Sequence, residues 1–309
     1  MTDLLQAPGA AVAAHAPATP ETACRGASMP PVRIVVYGTH SEDWNESLAP
    51  TAPVWAQVEG VREVLLAADT AAPLPPPRDD MRTLVLPLME PHLLACPRAE
   101  HQGLLPSHEA VRTLADKGAF AAYAAREGLA HHCPPVFAAP EAAELPCVVK
   151  RLDLNAGVGV EVAASREALR EMLDTPPWKG FPVVLQGYVP HAHEFATHAV
   201  CREGRIVLHR TFRKTLLADA RIQRPGASLT SAAPPAAEQH LRVLESFLAP
   251  LRYDGPCNFD YVIRDDDSLC VFEINPRLGG SLMKAQNREA LAAVLNAIVR
   301  GARPLAGGA

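Results

Sequence analysis

Asn258-Phe259-Asp260-Tyr261-Val262-Ile263-Arg264-Asp265-Asp266-Asp267-Ser268-Leu269-Cys270-Val271-Phe272-Glu273-Ile274-Asn275-Pro276-Arg277 is the stretch that decides the fold. Two runs of β-forming residues flank an acidic turn, the pattern of an antiparallel hairpin. A turn centred on Asp266-Asp267 sets the pairing. Asp260 then lies opposite Glu273, and Asn275 follows on the same face because side chains alternate along a strand. The other face carries Phe259, Tyr261, Ile263, Cys270, Phe272 and Ile274, all apolar. One face is core; the other holds two carboxylates side by side with an amide next to them. Like charges opposed across a ladder are destabilising, so a positive partner between them is expected. Oxygen ligands of this kind suit Mg²⁺, which is usually held by one or two carboxylates plus substrate phosphates. Read alone, the same hairpin could also turn its polar face to water.

The 309-residue chain can bury a large core and is expected to form two or three lobes. Its net charge of −5 is mild, and no basic tract with interleaved aromatics occurs, which argues against a nucleic-acid partner. Seven cysteines, at 24, 96, 133, 147, 201, 257 and 270, are scattered without a Cys-x-x-Cys pair. They are expected to be reduced thiols of a cytoplasmic protein, with Cys147 and Cys270 as core fillers. No apolar run is long enough to span a membrane, and the Ala/Pro-rich start lacks the positive region of a secretory signal. Residues 1–31 are expected to be a flexible tail without chemistry.

Strands are expected at 32–38, 61–67 and 83–89, separated by Pro-rich loops, and together they predict a small α/β lobe over 32–106. Residues 109–128 predict a helix with a break near Gly118. Short strands follow at 146–150, 158–162 and 183–186, with a helix at 165–175. A hairpin over 195–201 and 205–213 is expected to turn at Glu203-Gly204. An amphipathic helix at 236–251 leads into the acidic hairpin, and a last helix lies around 287–300. No internal repeat is seen.

Lys150 ends an apolar strand and precedes a loop carrying Gly157 and Gly159. A lysine there can reach a phosphate as a point charge, while glycines let backbone N–H groups approach an anion. The spacing is neither a Walker A nor a dinucleotide fingerprint, and a solvated strand-end lysine is the plain alternative. Lys117 follows Asp116 in a helical stretch, where an ordinary surface lysine is equally at home. Gln186-Gly187-Tyr188-Val189 ends a strand with Glu194 just beyond. This run could offer backbone groups to a flat base and a carboxylate to ribose hydroxyls, or it could be a simple strand edge. Lys214 closes a basic run that starts at Arg210 and could be a solvated patch. His131-His132 and the His191/His193 pair lack further ligands at a familiar spacing, so they are expected on loops or the surface; His191 and His193 adjoin Glu194 and could touch a ligand. Met89-Glu90-Pro91-His92 follows a strand and could reach substrate or be a junction only.

Taken in order, these pieces resemble the ATP-grasp superfamily, in the carboxylate–amine ligase branch of D-alanine–D-alanine ligase-like and related amino-acid ligases. The match covers about 110–285, and Phe272-Glu273-Ile274-Asn275-Pro276-Arg277, with Asp260 ahead of it, is its most specific part. The resemblance implies an α/β fold of α+β lobes: a small N-terminal lobe at 32–106, a central lobe at 107–185 with a phosphate-binding lid, and a C-terminal lobe at 186–309 with a metal site. It implies ATP with one or two Mg²⁺, or Mn²⁺ instead. Lys117 and Lys150 would contact the phosphates, and the loop with Gly157 and Gly159 would close over them. Gln186, Tyr188 and Val189 would hold adenine, and Glu194 the ribose. Lys214, or its neighbour Arg210, would lie near the terminal phosphate. Asp260, Glu273 and Asn275 would hold metal. Arg277 would face the acyl phosphate or the substrate carboxylate, with Ser281 in the same pocket. Arg151, Ala156 and Gln186 depart from the residues commoner in the family, but none of these removes a metal ligand or a phosphate lysine.

The implied reaction activates a carboxylate as an acyl phosphate and joins it to an amine, giving an amide or peptide bond, ADP and phosphate. The implied partners are small-molecule acids and amines, amino acids among them; the oligomeric state stays open, with a homodimer the common case by analogy alone. The competing reading is a catalytically inactive nucleotide-binding regulatory protein of the same fold; the intact lysines and acidic residues argue against it. Carboxylation or thioester formation is a third, without a visible biotin-attachment segment or CoA site.

Overall fold

Three sheets and seven α-helices make up the residues described by the computed structural model: 30–99, 101–154, 158–218, 220–224 and 226–305. Ala156 and Gly157 of the glycine-bearing loop lie outside them, as do Cys24 and residues 1–29. The first sheet contains β1 (Val32–Tyr37), β2 (Val61–Ala67) and β3 (Arg82–Pro87), all parallel, with the short β4 (Gln102–Gly103) and β14 (Arg303–Pro304) at one edge. A strand buried on both faces reads as a continuous apolar run, and β1 is buried throughout. Its one charged side chain, Arg33, is paired with Glu63 at 2.7 Å. Val32, Ile34 and Val36 pack toward α1 (Glu42–Ser47) and α7 (Arg288–Gly301). Val35 and Tyr37 pack toward α2 (Glu90–Ala95) and α3 (His108–Ala115).

The second sheet has the order β5-β8-β6-β7, with β5 at Val136–Phe137, β6 at Cys147–Arg151, β7 at Val160–Ala163 and β8 at Val183–Gly187. Cys147, Val149, Ala163 and Leu185 meet Leu169 of α5 (Arg166–Asp174). Alternation therefore sends Val148, Lys150 and Gln186 to the opposite face. The third and largest sheet runs β11-β10-β9-β12-β13, with β9 at His193–Arg202, β10 at Arg205–Leu216, β11 at Ser228–Ala232, β12 at Gly255–Ile263 and β13 at Leu269–Asn275. Its rear face, with Ala199, Cys257, Phe259 and Tyr261, packs on α3, α4 (Lys117–Arg126) and α6 (Glu238–Leu248). Its front face looks toward the free face of the second sheet, and a cleft lies between them.

The acidic hairpin forms in the expected register at its open end: Asn258 pairs with Asn275, Phe259 with Ile274, and Asp260 with Glu273. The next pair is Tyr261 with Val271, so Phe272 is the extra residue of a β-bulge. This corrects the expected apolar face. Leu269, Val271 and Ile274 join the core. Phe272 turns instead to the cleft, and Cys270 is buried outside that cluster. The helix break expected near Gly118 falls at Asp116, whose carboxylate caps α4 by accepting from the Ala119 amide at 2.7 Å. Lys117 thus becomes the first residue of α4.

Glu203 and Gly204 make the two-residue β9–β10 turn with φ of 49° and 79°, the paired positive values of a hairpin turn that follows strand twist. A Cβ on Gly204 would lie 2.5 Å from Cα of Ala249. Gly204→Ala is therefore expected to destabilise the protein by about 1–3 kcal/mol, read as a lowered melting temperature. The six described cysteines outside the N-terminal stretch are unbridged. No helix among the described residues is long and apolar enough to cross a membrane.

Candidate active site

Residues paired across neighbouring strands share a face, and the front of the large sheet collects its polar side chains this way. Glu273 and Asn275 come from β13, Asn258 and Asp260 from β12, Glu194 and His198 from β9, and Lys214 from β10. Of the opposed carboxylates, Asp260 has a positive partner in Lys214, which it shares with Glu194 and not with Glu273. The lysine Nζ donates to Asp260 Oδ1 at 2.7 Å and to Glu194 Oε1 at 2.9 Å. Asp260 Oδ2 accepts from Asn258 Nδ2 at 2.9 Å and from Asn275 Nδ2 at 3.4 Å, and Asn275 Nδ2 also reaches Glu273 Oε1 at 3.2 Å. Burial pushes the Glu194 carboxyl up to about 6 against the pull of Lys214, and Asp260 adds to the rise. Burial opposes the charge of Lys214, yet Asp260 and Glu194 hold its ammonium above its usual value. Arg210, the alternative to Lys214, is exposed and outside the cleft. It precedes Lys214 by four residues, roughly 13 Å along a strand.

From the opposite sheet, Lys150 brings Nζ to 5.5 Å from the centroid of the Phe272 ring. Its depth in the cleft pushes its ammonium pKa down, Glu273 and Glu194 counteract that fall, and Lys117 adds to it. Lys117 donates to the Leu154 carbonyl at 3.0 Å and so tethers the start of the glycine-bearing loop. Val158 and Val160 reach the cleft wall; Gly159 turns the chain between them without lining it. Gln186 is buried with Oε1 unpartnered, and Tyr188 and Val189 follow it along the wall. His191, expected on a loop, is also at the wall: its Nδ1 is 2.7 Å from the Val189 carbonyl and its ring centroid 5.5 Å from that of Phe272. His193 is exposed.

At the other end, Arg277 is held on three sides. Nε donates to Glu90 Oε1 at 2.9 Å, Nη1 to the Leu278 carbonyl at 2.9 Å, and Nη2 to Asn275 Oδ1 at 3.4 Å. Glu90 opens α2 directly after β3, so this pair joins the parallel sheet to the acidic hairpin. The guanidinium lies 5.8 Å from the Trp44 ring, which stacks on His40 at 4.6 Å. Ser281 Oγ is 2.6 Å from His198 Nε2. Sequence reasoning passed over His198, Asn258, His40 and Trp44. The first two were within reach of alternation, since Asn258 is two residues before Asp260 and His198 pairs with it directly.

One cavity of about 430 Å³ joins these groups, within the roughly 300–1,000 Å³ of small-molecule sites. Lys117, Lys150, Gln186, Tyr188, Val189 and Glu194 line it together with Lys214, Asp260, Glu273, Asn275, Arg277 and Ser281. Of the residues the resemblance implies, only Gly157, outside the described residues, and Gly159 and Arg210 are not found there; His193 and His92, offered as possible contacts, are not there either.

No protein-family model and no curated protein matches the sequence. Solved structures do resemble the fold. Phosphoribosylamine–glycine ligase from Thermotoga maritima superposes with a TM-score of 0.60 at 17% identity, over 89% of this chain and 78% of that one. D-alanine–D-alanine ligase from Bacillus anthracis gives 0.57 at 18%, over 88% and 97%. N5-carboxyaminoimidazole synthase from Aspergillus clavatus, in complex with ADP and 5-aminoimidazole ribonucleotide, gives 0.57 at 15%, over 88% and 76%. The chain has the ATP-grasp fold. Identities this low speak for shared architecture, and the chemistry rests on this chain's own side chains.

On this ATP-grasp scaffold the hairpin offers oxygen donors to a cation. The described residues hold no group of three or more His, Cys, Asp or Glu poised for a metal; the set is two carboxylates and an amide. Such hard oxygen donors fit a cation that draws its other ligands from phosphates and water. Asn275 presents Nδ2 to both carboxylates and Oδ1 toward Arg277, so a half-turn of its amide would bring its oxygen into the set.

Proposed function

We propose that the protein is an ATP-dependent ligase that activates a small-molecule carboxylate as an acyl phosphate and joins it to an amine, releasing ADP and phosphate. The observation that carries this reading is the meeting of Lys117 and Lys150, from one side of a single cleft, with Asp260, Glu273 and Asn275 from the other. The names of two similar structures are those of ligases, and a D-alanine–D-alanine ligase of the same fold has been solved with ATP.

In this reading Gln186 Oε1, lacking a partner in the protein, takes a donor from adenine, alongside the backbone of Tyr188 and Val189. The Glu194 oxygen not engaged by Lys214 meets the ribose. Lys117 and Lys150 hold the phosphates as point charges. Asp260, Glu273 and Asn275 would hold one or two Mg²⁺, whose chemistry is to neutralise charge on the β- and γ-phosphates. Arg277 pairs with the acid, orienting its oxygen toward the γ-phosphorus. It then stabilises the oxyanion formed when the amine attacks the acyl phosphate. Val158 and Val160 shield that intermediate from water. Positioning and charge do the catalysis, with no protein nucleophile required.

The test is a phosphate-release screen over paired acids and amines with Mg²⁺-ATP. The expected result is release that needs both substrates and stops on chelation, with a hydroxamate formed when hydroxylamine replaces the amine. Tight nucleotide binding without turnover on any pair would favour the inactive regulatory reading instead.

A further inference from the structure

His198 is 1% exposed and has no role in the reaction outlined above. It sits on β9 directly opposite Asn258, with its ring edge-on to Phe212 at 5.5 Å. Nε2 lies 2.6 Å from Ser281 Oγ, whereas Nδ1 is buried and has no partner. Gly279 covers that side: a Cβ on it would fall 2.3 Å from His198 Cε1 and 2.8 Å from both His198 Nδ1 and Asn258 Cγ. Burial, with Lys214 and Arg277 adding, pushes the imidazole down to about 3 and keeps it neutral.

A neutral imidazole has one N–H. Placed on Nδ1, that N–H would be an orphan donor pressed against the glycine Cα, and orphaned buried N–H groups are rarer than spare acceptors. Placed on Nε2, it donates to Ser281 Oγ and leaves only a lone pair facing the glycine. The Ser281 proton then cannot point at His198 and turns to the cleft, at the end where Arg277 presents its guanidinium. Asn258 Oδ1, the neighbouring spare acceptor, is sealed from solvent.

We propose that His198 is a positioning residue: its hydrogen bond fixes the Ser281 hydroxyl as a donor, so that this end of the cleft binds the carboxylate of a small acid in preference to the corresponding amide. The claim rests on the reading above in which Arg277 pairs with a carboxylate, and adds the residue that sets the choice of acid over amide. An amide replaces one charged acceptor oxygen by a donor NH₂, which meets donors on both Ser281 and Arg277. Charge-assisted hydrogen bonds are roughly twice as strong as neutral ones, so a preference of about tenfold is expected.

The experiment uses the full chain saturated with ADP and Mg²⁺. A panel of amino acids, hydroxy acids and dicarboxylates, each beside its amide, is titrated by calorimetry and ligand-observed NMR. At least one acid should bind about tenfold more tightly than its amide, a preference that Ser281→Ala and His198→Phe cut back to the part Arg277 alone supplies. His198→Gln, whose Nε2–H can replace the imidazole donor, should keep it within about threefold. ADP affinity should be the same in every variant. Long-range ¹H–¹⁵N correlation should show His198 protonated at Nε2 and bare at Nδ1 near neutral pH, a readout that needs no substrate. The opposite tautomer, amides binding as well as acids, no acid binding to protein that binds ADP, or His198→Gln behaving like His198→Phe would each overturn the proposal. Should His198→Phe not fold, Ser281→Ala and the tautomer still decide it. Failure of the parent to bind ADP would overturn the nucleotide reading, leaving the tautomer and the acid preference to be read separately.

Discussion

Glu273→Gln is expected to slow Mg²⁺-dependent ADP formation by about a hundred- to a thousandfold, the size of loss seen when one preorganised charge-stabilising group is removed, while the melting temperature stays within about 2 °C of the parent. The substitution keeps the shape of the side chain, and Gln can still accept from Asn275 Nδ2, now 3.2 Å from Glu273 Oε1. The apolar contacts of the strand are made by Val271 and Ile274 on its other face. The lost negative charge matters twice. It removes a hard ligand from the cation site, and it removes the negative charge that does most to keep Lys150 protonated, so the lysine loses its proton at a lower pH than in the parent. The variant's residual activity should therefore fall off sooner on the alkaline side. Phosphate release with a substrate pair from the screen, run beside thermal unfolding, checks both halves. A large loss of stability in metal-free buffer would make Glu273 a structural residue, and full activity would remove it from the chemistry.

How far the sequence reveals the site depends on how local each contact is. Asp260 opposite Glu273 is legible because a hairpin register follows from the turn, and the β9–β10 turn is legible because Gly204 stands where φ must be positive. The bulge at Phe272 is not legible: it is one extra backbone residue with no compositional mark, and it reverses the alternation beyond it. The Asp116 cap left a signal, an Asp ahead of a helical run, that a search for glycine breaks overlooks. Arg210 and Lys214 share a parity in the sequence, and only the length of the strand between them separates cleft from solvent. The Arg277–Glu90 pair spans 187 positions and exists because two sheets are packed together. The same holds for His198 and Ser281, 83 positions apart, neither of which looks polar-paired along its own strand or turn.

Lys214→Met has the other large expected effect, on stability. Lys214 is the shared cation of two buried carboxylates, with side-chain exposures of 7% for Glu194 and 12% for Asp260. Removing one member of a buried pair leaves an uncompensated charge and typically costs about 3–5 kcal/mol, here a fall of roughly 6–12 °C in melting temperature at neutral pH. The pH dependence follows from Glu194. Its pKa in the fold, about 6, stands above the ordinary glutamate value of 4.5, so the folded state binds this proton more tightly than the unfolded one. Its contribution to stability is fully present below about pH 4.5 and is lost as pH rises through about 6. Without the ammonium the carboxyl must rise further, so the loss grows and extends to higher pH. Lys214→Met should accordingly regain stability relative to the parent as pH is lowered from about 7.5 to 5, measured by urea unfolding. Adding Glu194→Gln should restore much of the neutral-pH stability and flatten that recovery, since the uncharged amide leaves only Asp260 to be compensated. A Lys214→Met protein as stable as the parent near neutral pH, with no gain on acidification, would mean that water or another group already balances these carboxylates and that the ion triad is not what holds the front of the large sheet.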